Sequence, residues 1–182
     1  MRARSVHQGK VLQHFLWTGF NLMSDFATPD LSDAHPDARH LEFQLRLFGQ
    51  RERFAGPVST IACHADNSKV AEALAEPGAG RVLLVDGRGD LSRSLLGDRL
   101  AQLASDNGWS GLIIIGAVRD VDVIDQIDIG VQALGVCPVK THKQGRGDRD
   151  VRLLLGAVEV KPGDWLYADR NGVLVSEHEL TA

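Results

Sequence analysis

Leu41, Phe43, Leu45 and Leu47 alternate with polar residues, the two-residue period of a half-buried strand. Ahead of them, turn and cap residues at 30–37 frame a single helical turn. Gly49 and the polar run 50–53 close the strand, and Gly56-Pro57 opens a second one over 58–63. Asp66-Asn67-Ser68 is a cap signal for a helix through Ala75, with Pro77-Gly78 as its stop. RVLLVD at 81–86 reads as a buried strand and leads into the loop Gly87-Arg88-Gly89-Asp90. Leu95, Leu96, Leu100 and Leu103 then recur at helical spacing as far as Asn107, where Gly108 ends the pattern. GLIII at 111–115 is a fully apolar strand. A short helix is predicted from Arg119-Asp120 to Gln126, and 131–136 with Val139 reads as a further strand. Residues 141–150 make a polar, glycine-containing loop. Beyond it, 151–155, 158–160, 165–168 and 172–175 are short strands separated by turn residues such as Lys161-Pro162-Gly163-Asp164. The order predicts one α/β domain with a strand-rich carboxy-terminal third.

Residues 1–22 stand apart from this pattern. Arg2, Arg4 and Lys10 precede a semi-apolar run over 11–20, but Gln13 and His14 interrupt it. No small-x-small cleavage site follows, which argues against a secretory signal. The only methionines are Met1 and Met23, and SDFATPDLSD after Met23 looks like a soluble start with a Thr-Pro-Asp helix opening. The functional protein is therefore expected to begin at Met23. Residues 1–22 would be a non-native or disordered extension, and 23–182 the folded domain.

Composition narrows the function classes. Lys and Arg number 20 against 24 Asp and Glu, a net charge of −4. That balance excludes a binder of nucleic acid or anionic membrane that relies on bulk positive charge. The apolar run at 112–115, extended past Gly116 by Ala117 and Val118, is far below the roughly 20 residues that span a bilayer. Cys63 and Cys137 lack ligand-like spacing and read as two buried thiols in a reducing, cytoplasmic setting. Glycine is the inflated entry, 19 of 182 residues against roughly 7% on average. Tight turns or close backbone approaches must account for it.

The chemistry-bearing glycines fall at strand ends: Gly87 and Gly89 after RVLLVD, Gly97 before Asp98, and Gly116 after GLIII. Strand ends that feed helix amino termini bind anions in α/β folds. The spacing matches neither the dinucleotide nor the P-loop fingerprint, so a small carboxylate or phosphate is the fitting ligand. Arg119 can grip a carboxylate through two parallel hydrogen bonds, and Asp120 beside it can ligate a hard divalent cation. Taken alone, that pair reads more simply as a surface ion pair with a helix cap. His64 and His142 have no partner at metal spacing. Trp109 and Trp165 read as packing anchors. The basic stretch 140–149 (Lys140, Lys143, Arg146, Arg149) reads as a solvated or subunit-facing loop rather than an RNA patch.

The segment from RVLLVDGRGD through LLGD and GAVRDVD, together with the terminal GDWLYADRNGVLVS, resembles the RraA family. That family holds the regulator of ribonuclease E activity A and the class II aldolases acting on 4-hydroxy-4-methyl-2-oxoglutarate. The resemblance covers nearly everything after Met23. It implies the swivelling β/β/α fold as a single domain, assembled as a homotrimer or dimer of trimers with sites in clefts between subunits. The family's aldolase motif, an Asp followed twenty residues later by Arg-Asp, falls on Asp98, Arg119 and Asp120. By resemblance, Asp120 ligates Mg²⁺ or Mn²⁺ and Arg119 binds the pyruvate portion of the substrate. Gly97, Asp98, Arg99 and Leu100 line the substrate, with Asp98 near the metal, where it can hold a metal-bound water that serves as acid or base. Two activities follow as expectations: metal-dependent cleavage of 4-hydroxy-4-methyl-2-oxoglutarate with decarboxylation of oxaloacetate, or protein-binding inhibition of ribonuclease E without contact to RNA. No S-adenosylmethionine-type glycine fingerprint supports a methyltransferase.

Overall fold

The computed structural model describes residues 26–181, so the amino-terminal extension and the Met23 start lie outside it. Helix α1 (Thr28–Ala34) precedes β1 (Arg39–His40), β2 (Arg46–Phe48) and β3 (Phe54–Ala62). The middle of the chain holds α2 (Ser68–Leu74), β4 (Val82–Asp86), β5 (Ser94–Leu96), α3 (Asp98–Asp106) and β6 (Gly111–Val118). There follow α4 (Val121–Ile124), β7 (Gly130–Val136), β8 (Asp148–Arg149), β9 (Leu153–Leu155), β10 (Val158–Val160), β11 (Trp165–Asp169) and β12 (Gly172–Ser176).

One mixed sheet runs β1-β12-β11-β3-β4-β6-β7-β2, with β5 added beside β6 and β8 beside β3. Its centre, β3, β4, β6 and β7, is parallel, and β5 joins it in the same sense. The flanking pairings of β11, β12, β1 and β2 are antiparallel. Strand β3 serves both parts. Phe54–Pro57 pairs with β11, and Val58–Ala62 pairs with β4.

The central strands are largely apolar because both of their faces are covered. Leu83, Val85, Leu112, Ile114, Val131 and Ala133 face a core shared with Val70, Leu74, Ala101, Ala104 and Ile124 of the helices. Their neighbours Val82, Leu84, Ile113 and Ile115 face a second core built with Leu153, Leu155, Val160, Leu166 and Val175. Helices thus cover one face and β elements the other, the swivelling β/β/α arrangement expected from the resemblance. A third, small cluster (Phe26, Leu31, Tyr167, Leu174) docks α1, which is tied down by Thr28 hydrogen bonds of 2.7 and 2.8 Å to the Asp169 carboxylate.

Three sequence expectations change. The alternating stretch from Leu41 is strand only at its carboxy-terminal end, in β2, although Phe43, Leu45 and Leu47 still pack on the second core. Leu95 and Leu96 lie on β5, not on a helix; that helix begins at Asp98 after Gly97 in extended conformation (φ −134°, ψ −178°). Gly116 lies inside β6 rather than beyond it, at a register irregularity between Ile114 and Ala117. Trp109 is a packing anchor at 1% exposure, Trp165 stacks on Tyr167, and both cysteines are buried and free.

Candidate active site

Parallel strands deliver their loops to one end, and the site lies there. A cavity of about 660 Å³ is lined by Gly97, Asp98, Arg99, Leu100, Arg119 and Asp120, joined by Asn67, Ser94, Lys140, Thr141 and Lys143. All the site residues carried over by resemblance therefore share one cavity. Pairing of β5 with β6 brings them there, because the Arg119 amide donates to the Leu96 carbonyl at 2.9 Å.

Arg119 Nε lies 3.1 Å from Asp120 Oδ2. The pair rests against the Cα of Gly97: a Cβ there would stand 2.9 Å from Asp120 Oδ2 and 3.2 Å from Arg119 Nε. Asp120 holds φ 57° and ψ 37°, a left-handed conformation that aspartate tolerates better than most residues. Both Nη groups of Arg119 are without a partner among the described residues and can receive a carboxylate.

The glycine reading needs correction at two positions. The Gly87 and Gly89 amides both donate to the Ile115 carbonyl, at 3.0 and 3.1 Å, so they brace β6 and are not an anion-binding turn. Within 97–100, the Arg99 amide donates to Asp98 Oδ1 and the Leu100 amide to the Gly97 carbonyl, so two of that segment's donors are already engaged.

Sequence reasoning missed Asn67, Ser94, Lys140, Thr141 and Lys143 as lining residues. Asn67 Nδ2 donates to the Leu95 carbonyl at 3.1 Å, and its buried Oδ1 has no partner among the described residues. The loop carrying the lysines is fastened to α2 through Asp66. Asp66 Oδ2 accepts from the Gln144 and Arg146 amides, and its Oδ1 accepts from the Ser68 amide. Burial raises the Asp66 pKa, but these hydrogen bonds outweigh it and hold the carboxyl at about 2. Burial, with the charges of Asp66 and Asp86, pushes the Cys63 thiol up to about 12, which disfavours the thiolate. His64 pairs with Asp90 at 3.3 Å, and neither it nor His142 lines the cavity.

A family model described as RraA-like, Aldolase/RraA, matches residues 28–175. The chain belongs to the RraA-like family. An RraA-like relative from Ectopseudomonas mendocina (strain ymp), provisionally named a 4-hydroxy-4-methyl-2-oxoglutarate aldolase, is 51% identical over 157 residues, 86% of this chain and 97% of its own. A relative of the same name from Pseudomonas putida (strain GB-1) is 52% identical over 87% of this chain and 98% of its own. Among solved structures, the RNA-processing inhibitor RraA from Thermus thermophilis superposes with a TM-score of 0.82 at 44% identity, over 85% of this chain and 94% of its own. A Geobacillus kaustophilus HTA426 protein described as an S-adenosylmethionine: 2-dimethylmenaquinone methyltransferase gives 0.83 at 43%, over 85% and 96%.

A second cleft of about 780 Å³, lined by Arg51, Phe54, Trp109 and Asp128 among others, lies apart from the motif residues of this RraA-like chain. Its Arg51 already grips Asp128 through two bonds of 2.7 and 2.9 Å.

Proposed function

We propose that this chain is a divalent-metal-dependent aldolase that cleaves 4-hydroxy-4-methyl-2-oxoglutarate to pyruvate and also decarboxylates oxaloacetate. The observation that carries this reading is the Arg119–Asp120 pair held against Gly97 in one cavity with Asp98. The aldolase names of relatives about 50% identical over nearly their whole length support it.

The residues present fit a hard cation. Asp120 and Asp98 offer carboxylate oxygens, and Gly97 leaves room beside Asp120 that a side chain would fill. No group of three or more metal-ligating side chains occurs among the described residues, so water and substrate oxygens would complete the shell of Mg²⁺ or Mn²⁺. Bound there, the cation would polarise the 2-keto group as a Lewis acid. Arg119 binds the carboxylate next to that keto group and fixes the three-carbon end. In the cleavage, the 4-hydroxyl gives up its proton, the C3–C4 bond breaks, and its electron pair moves toward the 2-keto oxygen. C4 becomes the keto carbon of one pyruvate. C3 takes up a proton and completes the second. Asp98, at the start of α3, is the acid–base group for these transfers.

The same proposal has the protein assemble as a homotrimer in the cytoplasm. Pyruvate release from 4-hydroxy-4-methyl-2-oxoglutarate tests the proposal. Release with Mg²⁺ that stops with a chelator is the expected result, and chelator-insensitive release overturns the metal assignment.

A second reading is a protein-binding inhibitor of ribonuclease E, favoured by the likeness to the Thermus inhibitor. Pull-down with ribonuclease E separates the two, and absence of binding at micromolar concentration contradicts the second.

A further inference from the structure

The charges lining the cavity do not balance. Arg99, Arg119, Lys140 and Lys143 face only two carboxylates, Asp98 and Asp120, and a divalent cation would widen the excess. Arg119 is paired with Asp120, but the side chains of Arg99, Lys140 and Lys143 have no partner among the described residues. A cavity of about 660 Å³ is also far larger than a three-carbon acid needs.

Thr141 adds an independent sign of a ligand. The residue is only 7% exposed and lines the cavity, and its hydroxyl has no hydrogen-bond partner among the described residues. Asn67 Oδ1 is the buried side-chain atom there that is both unpartnered and sealed. The Thr141 hydroxyl keeps some exposure, on a residue that lines the cavity. A buried residue with an open, unsatisfied hydroxyl between two unpaired lysines suits a carboxylate that accepts several hydrogen bonds.

The loop that carries them is fixed in advance. The Ser94 amide donates to the Val139 carbonyl at 2.8 Å, and Arg93 Nη1 donates to the Lys140 carbonyl at 2.9 Å. Just beyond, the Gln144 amide donates to Asp66 Oδ2 at 2.7 Å and the Gly145 amide to Ser68 Oγ at 3.0 Å. A segment without regular secondary structure is thus tied on both sides of Thr141, which lowers the cost of ordering it around a ligand.

We propose that Lys140, Thr141 and Lys143, with Arg99, form a second anion subsite that takes the distal carboxylate of a dicarboxylic 2-keto acid. The proposal rests on the keto-acid reading of Arg119. It divides the work between the two sides: Arg119 reads the carboxylate beside the keto group, and the 140–143 loop selects acids that carry another. The side chains named are specificity groups and move no proton.

Calorimetric titration of the Mg²⁺-loaded full chain with pyruvate and with 2-oxoglutarate, which lacks a 4-hydroxyl to cleave, tests this directly. The wild type binds 2-oxoglutarate more tightly than pyruvate. Lys143→Met and Lys140→Met each weaken 2-oxoglutarate about tenfold, the scale of one charge-assisted hydrogen bond, while pyruvate affinity stays within about twofold. Thr141→Val, which keeps the shape, weakens 2-oxoglutarate by about threefold or more. Thermal melts show whether each variant is folded, and the lysine variants carry the test if Thr141→Val is not. A parallel loss for both acids, or unchanged 2-oxoglutarate affinity in the Lys140→Met, Lys143→Met double variant, overturns the subsite. Wild-type protein that binds pyruvate but gains nothing from the second carboxylate overturns the subsite and leaves the keto-acid reading standing. Wild-type protein that binds neither acid overturns both.

Discussion

Asp120 combines a strained backbone with the position the chemistry needs. A left-handed conformation costs a non-glycine residue on the order of 1 kcal/mol or more, and such residues persist where the surroundings over-determine them. Here Asp120 opens α4 and touches Arg119, with Gly97 backing both. Asparagine tolerates the same backbone but lacks the charge. Asp120→Asn should therefore melt close to wild type and lose metal-dependent turnover by at least about 100-fold. A variant that keeps its turnover would show that Asp120 holds no essential ion. The sequence made Asp98, Arg119 and Asp120 visible through the family motif they match, since taken alone the Arg-Asp pair reads as a surface ion pair. It could not show Thr141 or Lys143 beside them, because a loop of polar residues carries no period that places it in space.

At the scale of elements, a short strand and a pinned loop shape the site. Residues 94–96 form a strand because they pair with β6, although Leu95 and Leu96 fit the helical spacing of Leu100 and Leu103. Tertiary pairing decided against the local pattern, as it does for short apolar runs. The loop after β7 is held by Asp66, whose folded-state pKa of about 2 lies below its ordinary 3.8. A lowered carboxylate stabilises the fold fully above pH 4, and that stability is lost as pH falls from about 4 to about 2. The melting temperature of the wild type should thus fall more steeply over this range than that of Asp66→Asn. Parallel profiles would show that the Asp66 bonds to Ser68, Gln144 and Arg146 do not stabilise the fold.

Across the whole molecule, the glycine excess has more than one cause. Gly111 and Gly130 are register partners on β6 and β7, and the Phe54 ring lies against both: a Cβ on either would come within about 2 Å of it. Glycine there lets a large ring seat on the sheet, a requirement unrelated to ligand binding. Gly130→Ala should destabilise the protein by about 3 kcal/mol, as overpacking of a close-packed core does, and denaturant unfolding measures it. An unchanged midpoint would contradict this packing. The layered fold was legible because largely apolar strands alternate with segments of helical spacing bounded by turn residues. The use of β3 by two sheet halves was not, because Gly56-Pro57, which marks the point where β11 gives way to β4, reads in the sequence as the start of the strand.

The central claim is that one cavity on this chain performs a retro-aldol cleavage, and product stoichiometry tests it most directly. With purified full-length protein and Mg²⁺, each 4-hydroxy-4-methyl-2-oxoglutarate consumed should yield two pyruvates. Absence of pyruvate above the chelator control, with the protein folded, would contradict the account.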